Sequence, residues 1–140
     1  MPSGKEDVEG PEQSENVADL PALDLEKLAM LESALPVSAV RDFLILYLSD
    51  TASHLSLVNK LHDHADLAGV AREAHMLVST AGNIGAAQVS AVARQLECAC
   101  RNHHSESAAR LVSDLNATNI RASSDIQIWL DRTAAVEEVA

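Results

Sequence analysis

One histidine in the segment 72–101 has the surroundings that a reactive imidazole requires. His75 is followed by a run of alanines, serines and glycines, and Glu97 lies twenty-two positions further on. A carboxylate that accepts a hydrogen bond from Nδ1–H fixes the tautomer of an imidazole and leaves Nε2 as a nucleophile. The pair therefore indicates an activated nucleophile, provided that the fold brings the two side chains together.

Helical periodicity places His75 outside the core. Residues three, four and seven apart share a helix face, so Arg72, Ser79 and Gly82 lie on the face of His75, with Val78 to one side. Because these neighbours are mostly small, we expect the ring to be accessible to another protein.

A helical hairpin would bring Glu97 to this imidazole. His75 lies about 10 Å before a break at Gly82, and Glu97 about 16 Å after Ala86, at the rise of an α-helix. Side chains lean toward the N-terminus of their own helix, which moves the imidazole away from the turn and the carboxylate toward it. On antiparallel helices the two groups therefore converge.

Composition limits the class of protein. A chain of 140 residues is long enough for one domain, and with a single Phe, Tyr and Trp its core must be aliphatic. The net charge of −11 argues against binding to nucleic acid or to anionic lipid surfaces. No apolar run is long enough to span a membrane, and two closely spaced cysteines offer no disulfide framework. We therefore expect no membrane insertion and a reducing, cytoplasmic setting.

The pattern along the chain predicts an all-α fold, an antiparallel four-helix bundle with a short additional N-terminal helix. Residues 1–20 carry −5 of the net charge without periodicity and are predicted to be a disordered acidic tail or linker. Residues 21–134 are the predicted bundle domain, and 135–140 a frayed C-terminus. The predicted helices cover residues 25–35, 37–60, 66–82, 86–102 and 105–133.

Capping residues and apolar spacing support these helices. Asp24, Asp66 and Ser105 are expected caps, and the segment from Gly82 to Gly85 is expected to break the third helix. The predicted core positions of the four long helices recur at intervals of three and four: Val40, Phe43, Leu44, Tyr47, Leu48, Leu55, Val58, Val70, Ala74, Leu77, Ala81, Val89, Val92, Leu96, Ala99, Ala108, Leu111, Leu115, Ala122, Ile126, Trp129 and Leu130. The run "FLILYL" (43–48) is wider than one stripe, so part of it could instead be exposed as a docking patch.

The segment "AHMLVSTAGNIGAAQVSAVARQLE" (74–97) resembles the signature of histidine-containing phosphotransfer (HPt) domains. That signature begins Ala-His-x-Leu-Lys-Gly, continues through Gly-Ala and an aliphatic position, and ends Leu-Glu. The matching positions are Ala74, His75, Leu77, Gly85, Ala86, Val89, Leu96 and Glu97. The resemblance implies a four-helix domain in which His75 accepts and donates a phosphoryl group and Glu97 orients its ring.

Two positions depart from the signature and bear on partner binding. Val78 stands where the family usually has lysine, and Ser79 where it usually has glycine. Transfer could then be slower or depend on Arg72 or Arg94. The residues expected to contact a receiver domain around His75 are Arg72, Val78, Ser79, Gly82, Ala86 and Arg94.

The same residues also allow other interpretations. His75 could be an ordinary surface histidine, and Glu97 a solvated charge. Cys98 and Cys100 lie too far around a helix to chelate one ion, and the remaining histidines lack carboxylates at ligand spacing, so no metal site is predicted. The chain also lacks the glycine-rich nucleotide site and the histidine motif of an autophosphorylating kinase.

The sequence therefore predicts a phosphocarrier in a multistep two-component phosphorelay, without kinase activity. It has no intrinsic cofactor, and Mg²⁺ comes with the partner receiver domain. The expected partners are receivers of response regulators or of a hybrid sensor kinase. The chain would be free-standing or the C-terminal cytoplasmic domain of such a kinase. The alternative is a receiver-docking or adaptor module that does not transfer phosphoryl groups.

Overall fold

The chain forms an all-α bundle, as the sequence predicted. The computed structural model describes the backbone of residues 16–139 and the side chains of residues 16–134. A 3₁₀ turn precedes five α-helices: the turn is Val17–Asp19, and the helices are α1 (Leu25–Ala34), α2 (Val37–Asp63), α3 (Leu67–Ile84), α4 (Ala87–Arg101) and α5 (Ser105–Val139). The four long helices pack each against the next in the chain, and α5 packs back against α2. Short connections make successive helices antiparallel, and α1 packs on α2.

The aliphatic core lies where helical spacing predicted it. All the predicted core positions on α3, α4 and α5 are buried, and Ile84 closes one end of the bundle. On α2 the prediction is wrong for Phe43, which is about half exposed together with Ile45 and Leu46, and Leu48 is only partly buried. An α-helix buries one stripe, and that of α2 is already filled by Val40, Leu44, Tyr47, Thr51, Leu55 and Val58.

The turn between α3 and α4 begins two residues later than predicted. Gly82 stays helical, and the helix continues to Ile84 before Gly85 adopts the left-handed conformation with φ 89°. The Ala86 N–H then bonds to the Ala81 carbonyl at 2.9 Å, which satisfies one of the free carbonyls at the helix end. Glycine within a helix costs only about 1 kcal/mol relative to alanine, so Gly82 does not have to end it.

Other helix boundaries follow local capping. Asp24 and Asp66 are N-caps, as predicted, and accept hydrogen bonds from backbone N–H groups in the first turns of α1 and α3. Ser105 is the first residue of α5, and the carbonyl of His104 accepts from the Ala108 N–H. The predicted cap at Ser105 is therefore wrong by one residue, and His104 is at the N-cap.

The last part of the predicted tail is ordered. The side chain of Asn16 caps the 3₁₀ turn, and the Gln88 amide donates to the carbonyl oxygens of Val17 and Leu20. Arg121, on α5, donates in turn to Gln88 Oε1 at 3.3 Å and so holds the side chain that binds the segment. The prediction of disorder is wrong for residues 16–20, while residues 1–15 lie outside the described residues.

The last helix is longer than the sequence predicted. Helix α5 continues through residue 139, beyond the predicted end at residue 133. The fraying of residues 135–140 stays a prediction, and residue 140 lies outside the described residues. Within the described part of the chain, no helix is both long enough and apolar enough to cross a membrane.

Candidate phosphotransfer site

The imidazole of His75 and the carboxylate of Glu97 meet on the surface of the α3–α4 hairpin. His75 Nδ1 lies 3.0 Å from Glu97 Oε2 and 3.2 Å from Oε1. The His75 side chain is 68% exposed, whereas that of Glu97 is only 17% exposed. The buried stripe of α3, which includes Ala74 and Leu77, faces the core and leaves the ring facing outward.

Glu97 has a second partner that the sequence analysis missed. Arg101 Nε donates to Glu97 Oε2 at 2.9 Å, and Arg101 Nη2 lies 2.8 Å from the same oxygen. The spacing of four residues along α4 is the usual one for a glutamate–arginine pair. That spacing was visible in the sequence and could have identified Arg101.

The electrostatics keep Glu97 ionised. Partial burial by itself raises the pKa of this carboxyl group, but the hydrogen bonds and charges of Arg101 and His75 outweigh it and lower the pKa overall. An ionised carboxylate can only accept hydrogen bonds, so the bonded Nδ1 of His75 must carry the proton. In the neutral imidazole, Nε2 then keeps its lone pair on the outward side of the ring, away from Glu97.

The predicted docking residues on α3 surround His75. Arg72, Ser79 and Gly82 are exposed, as expected from their shared helix face. Val78 is partly buried and packs against the core cluster, so it presents less surface to a partner than Ser79 does.

The two docking residues predicted near and on α4 differ in accessibility. Ala86 is completely buried, so its prediction as a docking residue is wrong; it lies in the connection that packs into the core. Arg94 is exposed and borders a groove of about 300 Å³ that Gly82 and Ser90 also line. Ser90 Oγ donates to the Val78 carbonyl at 2.8 Å and ties α4 to α3 beneath the site.

A second histidine–glutamate pair lies elsewhere on α3. His54 Nδ1, on α2, is 2.7 Å from Glu73 Oε1, and the His54 side chain is only 23% exposed. Glu73 and His75 are two residues apart, about 200° around the helix, so the two pairs lie on nearly opposite sides of α3. The contact between His54 and Glu73 joins α2 to α3.

The cysteines and the remaining histidines form no comparable cluster. Cys98 is exposed and Cys100 is buried, and burial raises the pKa of the Cys100 thiol. Among the residues that the structure describes, no three His, Cys, Asp or Glu side chains are grouped closely enough to hold a metal ion.

Comparison with known proteins identifies the family. The model of the Hpt domain matches residues 42–135, which include α3, α4 and most of α2 and α5. The chain belongs to the Hpt-domain family. The crystal structure of histidine-containing phosphotransfer protein B (HptB) from Pseudomonas aeruginosa PAO1 superposes with a TM-score of 0.76 and 19% sequence identity, covering 80% of this chain and 96% of HptB. At that identity the similarity shows the fold. No curated protein matches the chain.

Family membership establishes the general role of this bundle. Hpt domains are phosphocarriers, not kinases, and they interact with receiver domains in two-component systems. The chain therefore has a phosphotransfer role in phosphorelays.

Proposed function

We propose that His75 accepts a phosphoryl group from the aspartyl phosphate of one receiver domain and passes it to a second receiver. The observation that carries this proposal is the geometry of its ring, which is exposed to solvent while the ionised Glu97 holds its Nδ1 proton. An imidazole in this state presents Nε2 to an incoming phosphorus atom without prior loss of a proton.

The phosphoryl transfer needs no further acid or base, because each bond formed is matched by a bond broken and no proton has to move. The Nε2 lone pair forms a bond to phosphorus while the bond from phosphorus to the aspartyl oxygen breaks, and the aspartate leaves as a carboxylate. The imidazole retains its Nδ1 proton and becomes a phosphoimidazolium, whose positive charge the Glu97 carboxylate balances. Onward transfer reverses these steps on a second receiver aspartate.

The partner supplies the remaining chemistry. In phosphoryl transfer, catalysis consists mostly of positioning and of stabilising charge on the phosphoryl oxygens. We assign the Mg²⁺ ion to the receiver, and no cofactor to this chain. The proposed partners are receivers of response regulators or of a hybrid sensor kinase, and we place the exchange in the cytoplasm.

A docking module without transfer is the second candidate. Val78 favours it, because this position one turn after His75 carries no charge to attract a phosphoryl group. Such a module would bind a receiver but take no label from it.

The two candidates are separated by mixing the protein with receivers that carry a radiolabelled phosphoryl group. We expect label that is stable to alkali and labile to acid on the wild type, as for a phosphohistidine. It should be absent from His75→Gln and unchanged in His54→Gln, the control for the second pair. Label that persists in His75→Gln contradicts the assignment of His75, and a wild type that binds receivers without label supports the docking module.

A further inference from the structure

A second cation borders the groove beside Arg94. The groove, of about 300 Å³, lies between the start of α1 and the α3–α4 hairpin, and Lys27 of α1 lines it together with Arg94 of α4. Gly82 and Gly85 also line it, and because they lack side chains they leave the groove open. A lysine from α1 is therefore placed next to the hairpin that carries His75.

The stem of Lys27 packs against the turn between α3 and α4. A Cβ atom on Gly85 would lie 3.2 Å from Lys27 Cβ and 3.3 Å from Lys27 Cγ, so the first carbons of the lysine cover this glycine. Lysine lays its methylene stem along the protein surface while its ammonium group stays in water. The turn thus fixes where the stem lies, and the charged end remains available to a partner.

Neither cation of the groove has an ion-pair partner in the part of the chain that the structure describes. Asp24 also lines the groove, but its Oδ1 accepts hydrogen bonds from the N–H groups of Glu26 and Lys27. The positive end of the α1 dipole offsets a carboxylate in that position. In a chain of net charge −11, the groove is thus a place where positive charge is left without a counter-charge.

The groove continues the exposed surface around His75. Gly82 follows His75 by seven residues on the same face of α3, about 10 Å along the helix, and Arg94 precedes Glu97 by three residues on α4, about 5 Å. A stable protein interface covers about 800 Å² on each partner. A protein that presents a group to His75 therefore also covers the groove.

We propose that this groove receives an acidic side chain of the receiver domain, and that Lys27 determines which receivers dock on this chain. The inference rests on the proposed function of His75 as a phosphoryl carrier. Lys27 lies outside residues 42–135, so the Hpt-domain model does not define this position. Receivers with an aspartate or glutamate at the edge of their phosphorylated face are favoured. Receivers with a lysine or arginine there are repelled, because like charges brought together at an interface weaken binding.

The dependence of the transfer rate on receiver concentration tests this role. The probe is the phosphorylated receiver from which the wild type takes the most label. An exposed ion pair contributes little, so Lys27→Ala should raise KM by about two- to fivefold. Lys27→Glu, which sets a like charge against the acidic group, should raise KM by about tenfold or more. The rate at saturating receiver should stay within about twofold of the wild type, because Lys27 does not touch the reacting atoms.

Lys60→Glu is the matched control for the change in net charge. Lys60 is exposed near the C-terminal end of α2, at the end of the bundle away from the α3–α4 turn. At about 0.15 M salt, charges further apart than about 8 Å are largely screened, so this variant should change KM by less than about twofold. Equal KM values for Lys27→Glu and Lys60→Glu would overturn the proposal.

Reversal of charge on the receiver tests the contact directly. The aspartates and glutamates on the surface around its phosphorylated aspartate are replaced by lysine one at a time. One of these receiver variants should lower the KM of Lys27→Glu by at least about threefold. If none does, the pairing is contradicted. A KM for Lys27→Glu below that of the wild type also contradicts it, because the chain's own acidic segment 1–15 would then be the occupant of the groove.

The outcome for the wild type keeps the two proposals apart. A wild type that takes no label from phosphorylated receivers contradicts the phosphocarrier function itself. A wild type that is labelled, with a KM that Lys27→Glu leaves unchanged, contradicts only the role of Lys27. Circular dichroism on each variant confirms that the bundle is folded before rates are compared.

Discussion

At the level of single residues, the site depends on a difference in exposure between two bonded side chains. His75 faces solvent, while Glu97 is mostly covered and held by Arg101. A covered carboxylate has a fixed position, and the imidazole it binds loses rotational freedom without losing access to Nε2. The histidine can therefore be both oriented and exposed.

Replacement of Glu97 tests how much this orientation contributes. We expect Glu97→Ala to slow phosphoryl transfer by roughly 10–100-fold, by analogy with carboxylates that orient metal-bound histidines, and to leave the bundle folded. Glu97→Gln, which keeps an oxygen acceptor but removes the charge, should lie between the alanine variant and the wild type. Rates come from single-turnover transfer and folding from circular dichroism; an unchanged rate in Glu97→Ala would return this residue to the status of a solvated charge.

Part of the site could be predicted from the sequence, and part depends on the tertiary fold. The pairing of His75 with Glu97 could be predicted because helical rise and side-chain direction are general properties of hairpins. The burial of Ala86 could not be, because it depends on a turn that forms at Gly85 and not at Gly82. Arg101 was missed although its spacing from Glu97 is a standard one.

At the level of secondary-structure elements, the α3–α4 turn sets the register of the site. The Gly85 carbonyl accepts from the Asp24 N–H at 2.7 Å, which joins the start of α1 to this turn. A Cβ atom on Gly85 would lie 3.2 Å from the Asp24 carbonyl oxygen and from Lys27 Cβ. The turn therefore requires glycine both for its φ angle and for the close approach of α1.

Gly85→Ala should destabilise the domain. We expect a loss of about 1–3 kcal/mol in the free energy of unfolding, from the left-handed conformation and the crowding against α1. Gly82→Ala is the matched control: this glycine is helical and exposed, and a Cβ there would lie 3.4 Å from Ser90 Oγ. It should be neutral or stabilising by up to about 1 kcal/mol. Urea unfolding followed by the fluorescence of Trp129, which is buried, measures both; a Gly85→Ala variant as stable as the control would contradict this account of the turn.

Element boundaries could be predicted wherever a single side chain determines them. Asp24 and Asp66 cap α1 and α3 because an aspartate satisfies free N–H groups locally. The exposure of Phe43 could not be predicted, because two apolar faces compete on α2 and only packing against the other helices decides between them.

At the level of the whole molecule, the single tyrosine reports on the integrity of the core. Burial raises the pKa of Tyr47 from 10.0 to about 12, only partly offset by the nearby Thr51 hydroxyl. Neither hydroxyl has a partner in good hydrogen-bond geometry among the described residues. The neutral phenol is thus favoured in the folded state mainly because it is removed from water.

Alkaline titration should show that folding and the ionisation of Tyr47 depend on each other. A raised folded-state pKa contributes stability that is fully present below the unfolded value of 10.0 and is lost as the pH rises toward 12. We expect ultraviolet absorbance of tyrosinate to appear near pH 10 in urea and near pH 12 in the native protein, and Tyr47→Phe to lose less stability over that interval. Because the chain contains one tyrosine, the signal needs no assignment. A native titration near pH 10 would contradict the burial of the hydroxyl.

Under the proposed function, the two histidine–glutamate pairs of α3 differ in one property that would separate a reactive histidine from a structural one. His54 and His75 each place Nδ1 against a carboxylate, so both imidazoles are biased toward the same tautomer. They differ in exposure, since most of His75 is open to solvent while most of His54 is covered between α2 and α3. The same hydrogen bond to Nδ1 thus occurs twice within one domain, and if His75 is the nucleophile, its selection over His54 comes from steric access. A mutation that separated α2 from α3 at the His54–Glu73 contact would therefore weaken the bundle and also expose a second imidazole whose Nδ1 is hydrogen-bonded to a carboxylate.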